Sequence, residues 1–415
     1  MTTPTDGRRA VPGPGPGTGP GPGGAVAKDA GRPGGTEEAG DEPGRRMAFR
    51  TGAAAVAGAP AGTAAARTAP GTPGTPSRLR FGAVTAGLLA ALAAAVLAAL
   101  GLGSVRIPTG EVVAALLPGA EPGPFRTIVL DVRLPRVLLG IVVGAGLGVV
   151  GAVLQALVRN RLADPFLLGI SSGASTGAVV VLVLGIGATT AVALPAGAFL
   201  GAFAALVLVY GLARHGGSMT GTRLVLAGVT ISYVFTALTT LVLVASSRPE
   251  HFREALYWSL GGLGSARWDT VWLPAAVVGL LLPLLLALAR PLDLLLVGEE
   301  GATVLGLDVA RFRAAVFVLV SLVTSVLVAA SGAVGFIGLM VPHAARLLVG
   351  AAHRALLPVA ALIGAVALVV ADLGARTVAA PQDIPVGVLT ALIGGPLFLW
   401  LMRRRPVDGA EGGRT

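Results

Sequence analysis

The sequence contains no cysteine and only one lysine, and each absence excludes a class of chemistry. Without cysteine the chain has no disulfide bridge, no thiolate metal site and no cysteine nucleophile. The single lysine, Lys28, lies near the N-terminus. A phosphate-binding loop of the type G-x-x-x-x-G-K-[ST] needs a lysine on the phosphates, so we expect no ATP hydrolysis by that route. A lysine Schiff base is equally disfavoured.

Charged residues are also scarce. They make up 13% of the chain, whereas soluble domains carry about 25%. Hydrophobic residues make up 54%, and the mean hydropathy is +0.81. This composition indicates an integral membrane protein. The net charge of +10 is explained by arginines that flank apolar spans on the cytoplasmic side, so we expect contact with membrane lipid and no nucleic-acid partner.

The two ends of the chain differ in composition from its middle. Residues 1–77 are rich in Gly and Pro, as in VPGPGPGTGPGPGG (11–24), and lack a core-forming pattern. Acidic residues dilute the arginines here, which favours a solvated cytoplasmic tail over a segment that binds lipid headgroups or a partner. We therefore expect a disordered tail at 1–77, a transmembrane domain at 78–405 and a short cytoplasmic tail at 406–415.

Apolar runs of bilayer-spanning length follow one another through the middle of the chain. A helix of about 20 residues crosses the hydrocarbon, so the runs predict an all-α polytopic membrane protein with about ten spans. The basic loops favour a location in the cytoplasmic membrane with both termini in the cytoplasm. The predicted spans are 81–103, 137–158, 167–187, 191–213, 223–245, 270–289, 312–331, 335–350, 355–376 and 385–402.

Residues 133–175 carry the features of a tightly packed membrane helix. Arg133 and Arg136 open the segment, and polar residues from Gln155 onwards end its apolar run at the water interface. Small residues let helices approach closely in lipid. The run is accordingly rich in them, with Gly144, Gly146, Gly148 and Gly151.

The loop at 291–313 is more than a simple turn, because apolar residues, glycines and two acids alternate along it. This pattern predicts two short helices at the cytoplasmic surface. Glu299 and Glu300 would lie near the start of the second helix, where the helix dipole favours anions. A short exposed apolar helix suits a protein partner, and the alternative is an interfacial helix that rests on lipid.

A proline and several polar residues interrupt the later apolar runs. Pro342 breaks a helical hydrogen-bond ladder, which is tolerated where the backbone faces protein or a water-filled path. His343 has no second His or acid at ligand spacing, which favours a structural polar contact over a metal ligand. Asp372 and Arg376 lie four residues apart and can pair, which favours a structural ion pair over a proton carrier.

Six ordered motifs together resemble the FecCD-type permeases, the membrane subunits of ABC importers for iron–siderophore complexes, haem and cobalamin. The resemblance covers about residues 80–405 and departs from the family at Arg161, where proline is usual. The motifs are RLPR (133–136), Q-x-L-x-R-N-x-L-A-D-P (155–165), LLGISSGA (167–174), GEExAxxLG (298–306), GFIGLMVPHxAR (335–346) and IPVGVLTALIGGPLFLWL (384–401).

The resemblance implies a cobalamin-permease-like bundle of ten spans, the type II ABC importer fold, paired with an identical or paralogous second permease. Two ABC ATPase subunits would bind below, and an extracytoplasmic substrate-binding protein would dock above. The positions implied to sit in a groove of the ATPase are Glu299, Glu300, Ala302 and Gly306. The arginines implied to receive acidic lobes of the binding protein, by complementary charge, are Arg133, Arg136 and Arg376.

The implied role is a transport subunit and not an enzyme. Partner ATPases would pull on the 291–313 helices and reorient the bundle. We expect a ferric siderophore as cargo, with cobalamin or haem as the alternative. We expect no cofactor and no metal site, because the iron arrives already chelated. Candidate path residues, whose serines are equally suited to helix–helix hydrogen bonds, are Gln155, Asn160, Ser171, Ser172 and Ser175.

Two other classes of protein fit these residues less well. An ion-coupled secondary transporter places acids or histidines midway through its spans. The one clear acid in a predicted span, Asp372, lies near an end and beside Arg376. A membrane-embedded enzyme needs clustered catalytic groups, and the histidines are scattered at 215, 251, 343 and 353.

Overall fold

The computed structural model describes the chain in six stretches: 77–117, 123–187, 192–215, 218–219, 221–246 and 248–404. The predicted tails, 406–415 and all of 1–77 except Ser77, lie outside the described residues. In chain order the helices are Arg78–Gly101 (α1), Thr109–Leu116 (α2), Pro124–Thr127 (α3), Leu134–Val158 (α4), Ile170–Leu184 (α5), Ala193–Ala213 (α6), Gly221–Ala245 (α7), Pro249–Ser259 (α8), Trp268–Ala287 (α9), Ala289–Val297 (α10), Glu299–Val304 (α11), Val309–Ser331 (α12), Ile337–Val349 (α13), His353–Thr377 (α14) and Val386–Arg404 (α15).

Short irregular elements join some of these helices. A π-helical segment, Ile128–Arg133, makes α3 and α4 continuous, and a 3₁₀ turn, Pro165–Leu168, precedes α5. Two-residue strands, Arg214–His215 and Ser218–Met219, pair antiparallel between α6 and α7.

Ten of the helical segments correspond to the ten predicted spans. Seven are long and apolar enough to cross a membrane: α1, the continuous α3–α4 segment, α6, α7, α9, α12 and α14. Three are shorter apolar helices, namely α5, α13 and α15. The prediction of an all-α polytopic membrane fold is confirmed, with about ten spans when the shorter helices are included.

The second span begins earlier than predicted. The sequence suggested a start at 137, after the arginines, whereas the helical segment runs from Pro124 to Val158. A charged side chain is costly in lipid, which is why Arg133 and Arg136 read as an end of the span. In the structure their guanidinium groups bind carbonyl and carboxylate oxygens of neighbouring elements, so the helix continues through them.

Helix α4 is the central helix, and glycines bring its backbone into direct contact with two neighbours. A Cβ atom added at Gly144 would strike the backbone of Gly364 in α14, and one added at Gly151 would strike Gly338 in α13. Such close contacts between helices are the use of small residues expected in lipid. A similar pairing of α5 with α6 involves Gly173, Gly177, Gly197 and Gly201.

Polar contacts divide the bundle into two ends. At one end, called the Glu299 end, Glu299 binds Arg313 at the start of α12 and lies 4.0 Å from Arg159 just after α4. At the other, the Asp372 end, Arg136 near the start of α4 binds Asp372 near the end of α14. Since α4 and α14 each run from one end to the other, the two clusters lie on opposite sides of the membrane-spanning region.

We expect Gly151→Ala to lower the free energy of unfolding by about 3 kcal/mol, because rigid backbone at Gly338 meets the new methyl group. Thermal unfolding of the purified protein in detergent measures the change. The matched control is Gly279→Ala in α9, where an added Cβ meets nothing within 4 Å. Equal stability of the two variants would contradict the close backbone contact.

Candidate functional site

At the Asp372 end, one buried carboxylate joins two guanidinium groups. The Asp372 side chain is 3% exposed and lies 2.9 Å from Nη2 of Arg136 and 3.0 Å from Nε of Arg376. The pairing of Asp372 with Arg376 within α14, anticipated from their spacing, is therefore present. Arg136 additionally ties α14 to α4. Two cations on one buried anion leave surplus positive charge inside this cluster.

Arg376 and a third arginine at this end, Arg133, also bind the end of α1. Arg133 donates to the carbonyl oxygen of Leu100 at 2.6 Å and to that of Val105, and Arg376 donates to the carbonyl oxygen of Ala99 at 3.3 Å. The last carbonyl groups of a helix lack intrahelical partners, and its negative dipole end favours cations. Arg133 and Arg376 therefore hold the end of α1 against α4 and α14.

Burial separates the three arginines predicted to dock a binding protein. Arg133 and Arg376 are both buried, whereas Arg136 is partly exposed and extends a third nitrogen towards the surface, 2.7 Å from Asp383. The docking role of all three stays a prediction. The geometry makes Arg136 the most accessible of the three and gives the other two bonds inside the bundle.

At the Glu299 end, α10 and α11 form the pair of short helices predicted from the 291–313 loop. Gly298 (φ +115°) separates them, and Gly306 (φ +87°) follows α11, both in backbone conformations that favour glycine. Ala302 lies within α11 and is fully buried. Glu299 begins α11, where the helix dipole favours an anion, and Glu300 follows it.

Much of the outer surface of this helix pair is apolar, with exposed acids beside the apolar residues. Val297, Val304 and Leu305 are 69%, 87% and 62% exposed. Glu299, whose side chain is 53% exposed, joins α11 to α12, because its carboxylate accepts a 2.8 Å bond from the buried guanidinium of Arg313. The pair therefore presents exposed apolar side chains and is held in place by an ion pair, an arrangement suited to binding a protein partner.

Helix α10 is also joined to α14. The carboxylate of Asp293 accepts a 2.9 Å bond from the backbone N–H of His353 and lies 2.6 Å from its Nδ1. His353 is the first residue of α14, so the carboxylate also satisfies one of the orphan donors of the helix start. The short helices therefore contact both α12 and α14 through acidic side chains.

Gln155, predicted to line the path, forms hydrogen bonds within the bundle. Its side-chain amide donates to the carbonyl oxygens of Gly338 at 3.4 Å and Leu339 at 3.2 Å, and its oxygen accepts a 2.6 Å bond from Arg346. Pro342 has no N–H to give to the Gly338 carbonyl four residues earlier. Gln155 satisfies the carbonyl that Pro342 leaves free.

The remaining path candidates lie on other elements. Asn160 is exposed and its side-chain oxygen accepts from the N–H of Leu162, which shapes the turn after α4. Ser171, Ser172 and Ser175 are half-buried on α5, and Ser172 donates to the carbonyl oxygen of Gly169. Within the described residues no hydrogen bond joins these side chains to Gln155, so their place on a common path stays a prediction.

Asp164 was not singled out from the sequence, although it lies in the motif that ends α4. Its carboxylate accepts from the N–H of Phe166 at 2.8 Å and so starts the turn into α5. Burial away from water raises its pKa to about 6, and the bond from Phe166 opposes this shift without cancelling it. The turn at the Glu299 end thus contains an acid that titrates near neutral pH.

Several other contacts at the two ends lacked a local sequence signal. Asp383 lies one residue before the motif at 384–401. Asp293 and His353, which bind each other, are 60 residues apart. Thr176 forms a partly buried 2.6 Å hydrogen bond with Thr239 that joins α5 to α7. Among the described residues, no group of three or more His, Cys, Asp or Glu side chains is placed to hold a metal ion.

These features define a class of protein: a multi-pass helical membrane protein with an exposed, largely apolar helix pair at one end. Residues 91–404 match the family model of the FecCD transport family. The chain therefore belongs to that family and is an ABC importer permease. Members of the family work with ABC ATPases and substrate-binding proteins.

Curated relatives are similar over most of their length. The chain is 45% identical to the cobalamin import system permease protein BtuC of Halobacterium salinarum, over 71% of this chain and 78% of that protein. It is 44% identical to the hemin transport system permease protein HmuU of Yersinia pestis, over 66% and 83%. It is 41% identical to the Fe(3+) dicitrate transport system permease protein FecD of Escherichia coli, over 76% and 96%.

A solved structure has the same fold. It is described as a metal-chelate type ABC transporter in an inward-facing conformation, with a TM-score of 0.69 and 32% sequence identity. The match covers 78% of this chain and all of that one. The prediction of FecCD membership is confirmed, and the identity of the cargo is left to the proposal below.

The raised pKa of Asp164 predicts a pH dependence of stability. Between the ordinary pKa of 3.8 and the folded value of about 6, the folded protein holds a proton that the unfolded chain releases. This contribution to the free energy of unfolding is fully present below pH 3.8 and is lost as the pH rises through about 6. The loss is about 3 kcal/mol.

Asp164→Asn should remove this slope while keeping an oxygen for the N–H of Phe166. Denaturant unfolding of both proteins between pH 4 and pH 7 measures the difference in slope. The control is Asp308→Asn, an exposed cap at the start of α12 whose oxygen accepts from the N–H of Arg311. Parallel slopes for wild type and Asp164→Asn would contradict the assignment.

Proposed function

We propose that this permease imports a ferric siderophore, or a similar iron chelate, across the cytoplasmic membrane. The cargoes of its relatives support this proposal, because the cobalamin, hemin and Fe(3+) dicitrate for which they are named are all metal chelates. The similar solved structure is likewise described as a metal-chelate transporter. Within this range cobalamin and haem are the alternative cargoes.

The proposed ATPase contact is the α10–α11 pair, with the Glu299 end in the cytoplasm. The observation that carries this proposal is the apolar surface of Val297, Val304 and Leu305, held in place by an ion pair. A groove on an ATPase subunit would cover these side chains. Movement of the ATPase would then reach α12 through Glu299 and α14 through Asp293.

The opposite end is the proposed dock for a substrate-binding protein. Arg136 is the contact with the best access, and Arg133 and Arg376 add positive charge behind it. Opposite charges across an interface steer association and fix its register. The path itself is proposed to run beside a second permease, identical or paralogous, with the half-buried serines of α5 towards it. Alternating exposure to the two sides would follow from motion of the packed helices.

The ATPase contact predicts that Val304→Asp will weaken binding of the ATPase subunit of the same importer by about thirtyfold, since a charge would enter an apolar contact. Affinity is measured with the full-length permease in nanodiscs. The matched control is Val378→Asp, at a valine of the Asp372 end that is 72% exposed, against 87% for Val304. Similar losses in both variants, or none in Val304→Asp, would contradict the assigned surface.

If the cargo is a ferric siderophore, we expect iron to accumulate inside the cell in an ATP-dependent way. Cells that depend on the complete importer should take up radioactive iron presented as a ferric siderophore, and uptake should persist when the proton gradient is collapsed. An excess of cobalamin or hemin should compete poorly. Strong competition by either would replace the siderophore with that cargo.

The same uptake assay separates this function from ion-coupled transport. Uptake that survives ATP depletion and stops with the proton gradient would contradict an ATP-driven importer. The buried pairing of Asp372 with Arg136 and Arg376 favours the ATP-driven mechanism, because a proton carrier must release its charge partners in every cycle.

A further inference from the structure

Arg136 binds two carboxylates whose surroundings differ. Its Nε and Nη2 atoms lie 3.0 and 2.9 Å from Asp372, which is 3% exposed, and its Nη1 atom lies 2.7 Å from Asp383, which is 47% exposed. Breaking the buried pair would leave an uncompensated charge inside the bundle. The outer pair is a surface ion pair, which contributes little net stability and can exchange.

The loop that carries Asp383 is joined to the surrounding elements on both sides. The next residue, Ile384, donates its N–H to the carbonyl oxygen of Ala375 in α14 at 3.1 Å. Gly387, at the start of α15, donates to the carbonyl oxygen of Gly261 at 3.4 Å and packs against the backbone of Leu260. A displacement of Asp383 would therefore act on the start of α15 and on the connection between α8 and α9.

We propose that Asp383 occupies, on Arg136, the position that an acidic side chain of the binding protein takes during docking. This inference rests on the proposed docking at the Asp372 end. The partner it fits is a protein surface that presents a carboxylate, since that group reproduces the bond which Asp383 gives up. Exchange of one carboxylate for another leaves Arg136 and Asp372 paired throughout.

The charges of the cluster favour such an exchange. Arg133, Arg136 and Arg376 carry three positive charges against the two negative charges of Asp372 and Asp383. Departure of Asp383 uncovers a surplus of two positive charges, which the incoming carboxylate meets. While Asp383 is bound, the surface offers a weaker potential to acidic molecules that lack the rest of the interface.

The exchange predicts that Asp383→Asn will tighten the binding of the substrate-binding protein. With an internal competitor, the apparent affinity equals the intrinsic affinity multiplied by the fraction of time that the site is free. Removing it should therefore strengthen binding about fivefold, mostly at low salt, where surface charges are least screened. The experiment uses the complete importer in nanodiscs with its own binding protein, and biolayer interferometry gives the affinity and the rates.

Two further variants are needed to interpret the affinity measured for Asp383→Asn. Asp269→Asn removes an exposed carboxylate at the same end that pairs only loosely with Arg267, at 3.6 Å, and should leave the affinity unchanged. Arg136→Lys keeps the positive charge that Asp372 needs but loses the third nitrogen, and should weaken binding. Unchanged or weaker binding by Asp383→Asn, with a loss in Arg136→Lys, overturns the exchange and leaves the docking proposal standing.

If neither Asp383→Asn nor Arg136→Lys changes the affinity, the docking proposal itself fails. A second measurement does not depend on affinity. Because the chain has no cysteine, spin labels can be placed at Gln382→Cys and Ser265→Cys without removing native thiols. Addition of the binding protein should lengthen and broaden the distance between the labels, as Asp383→Asn alone should do. An unchanged distance in both cases overturns the exchange.

Discussion

Every polar group inside a membrane must find its partner within the protein, and this constraint shapes the structure around α4. Unsatisfied backbone or charged groups in hydrocarbon cost several kcal/mol each, on the order of the whole stability of a domain. Arg133 accordingly binds carbonyl oxygens at the end of α1, Gln155 binds those beside Pro342, and Arg136 binds Asp372. Because all three side chains belong to one continuous segment, α4 fixes the positions of α1, α13 and α14 together.

Close backbone contact and polar bonding support each other along α4. The glycine contacts with α13 and α14 bring those helices within reach of polar side chains on α4. The bonds from Gln155 and Arg136 then set the register of the same two helices near opposite ends of α4. The middle of the bundle is therefore apolar and tightly packed, and its charged groups lie at the ends, where partners and water are available.

Local features of the fold were predictable from the sequence, and distant pairings were not. Apolar runs gave all ten spans, and spacing gave the two short helices of 291–313 and the pairing of Asp372 with Arg376. The bond between Arg136 and Asp372 spans 236 residues, and no local pattern indicates it. Burial of Arg133 and Arg376 was missed for the same reason, since both residues lie at helix ends that the sequence places in water. The predicted docking, coupling and path roles depend on partners and stay predictions.

The contact between Gly144 and Gly364 has a mechanical consequence. Gly364 lies near the middle of α14, about 16 Å from His353 and about 12 Å from Asp372 at 1.5 Å per residue. Contact of α4 with α14 continues on either side of this point, at Gly148 against Ala360 and at Gly140 against Val369. We therefore expect α4 and α14 to move as one rigid pair. A displacement of His353 at one face of the membrane would then be carried through the pair to Asp372 at the other.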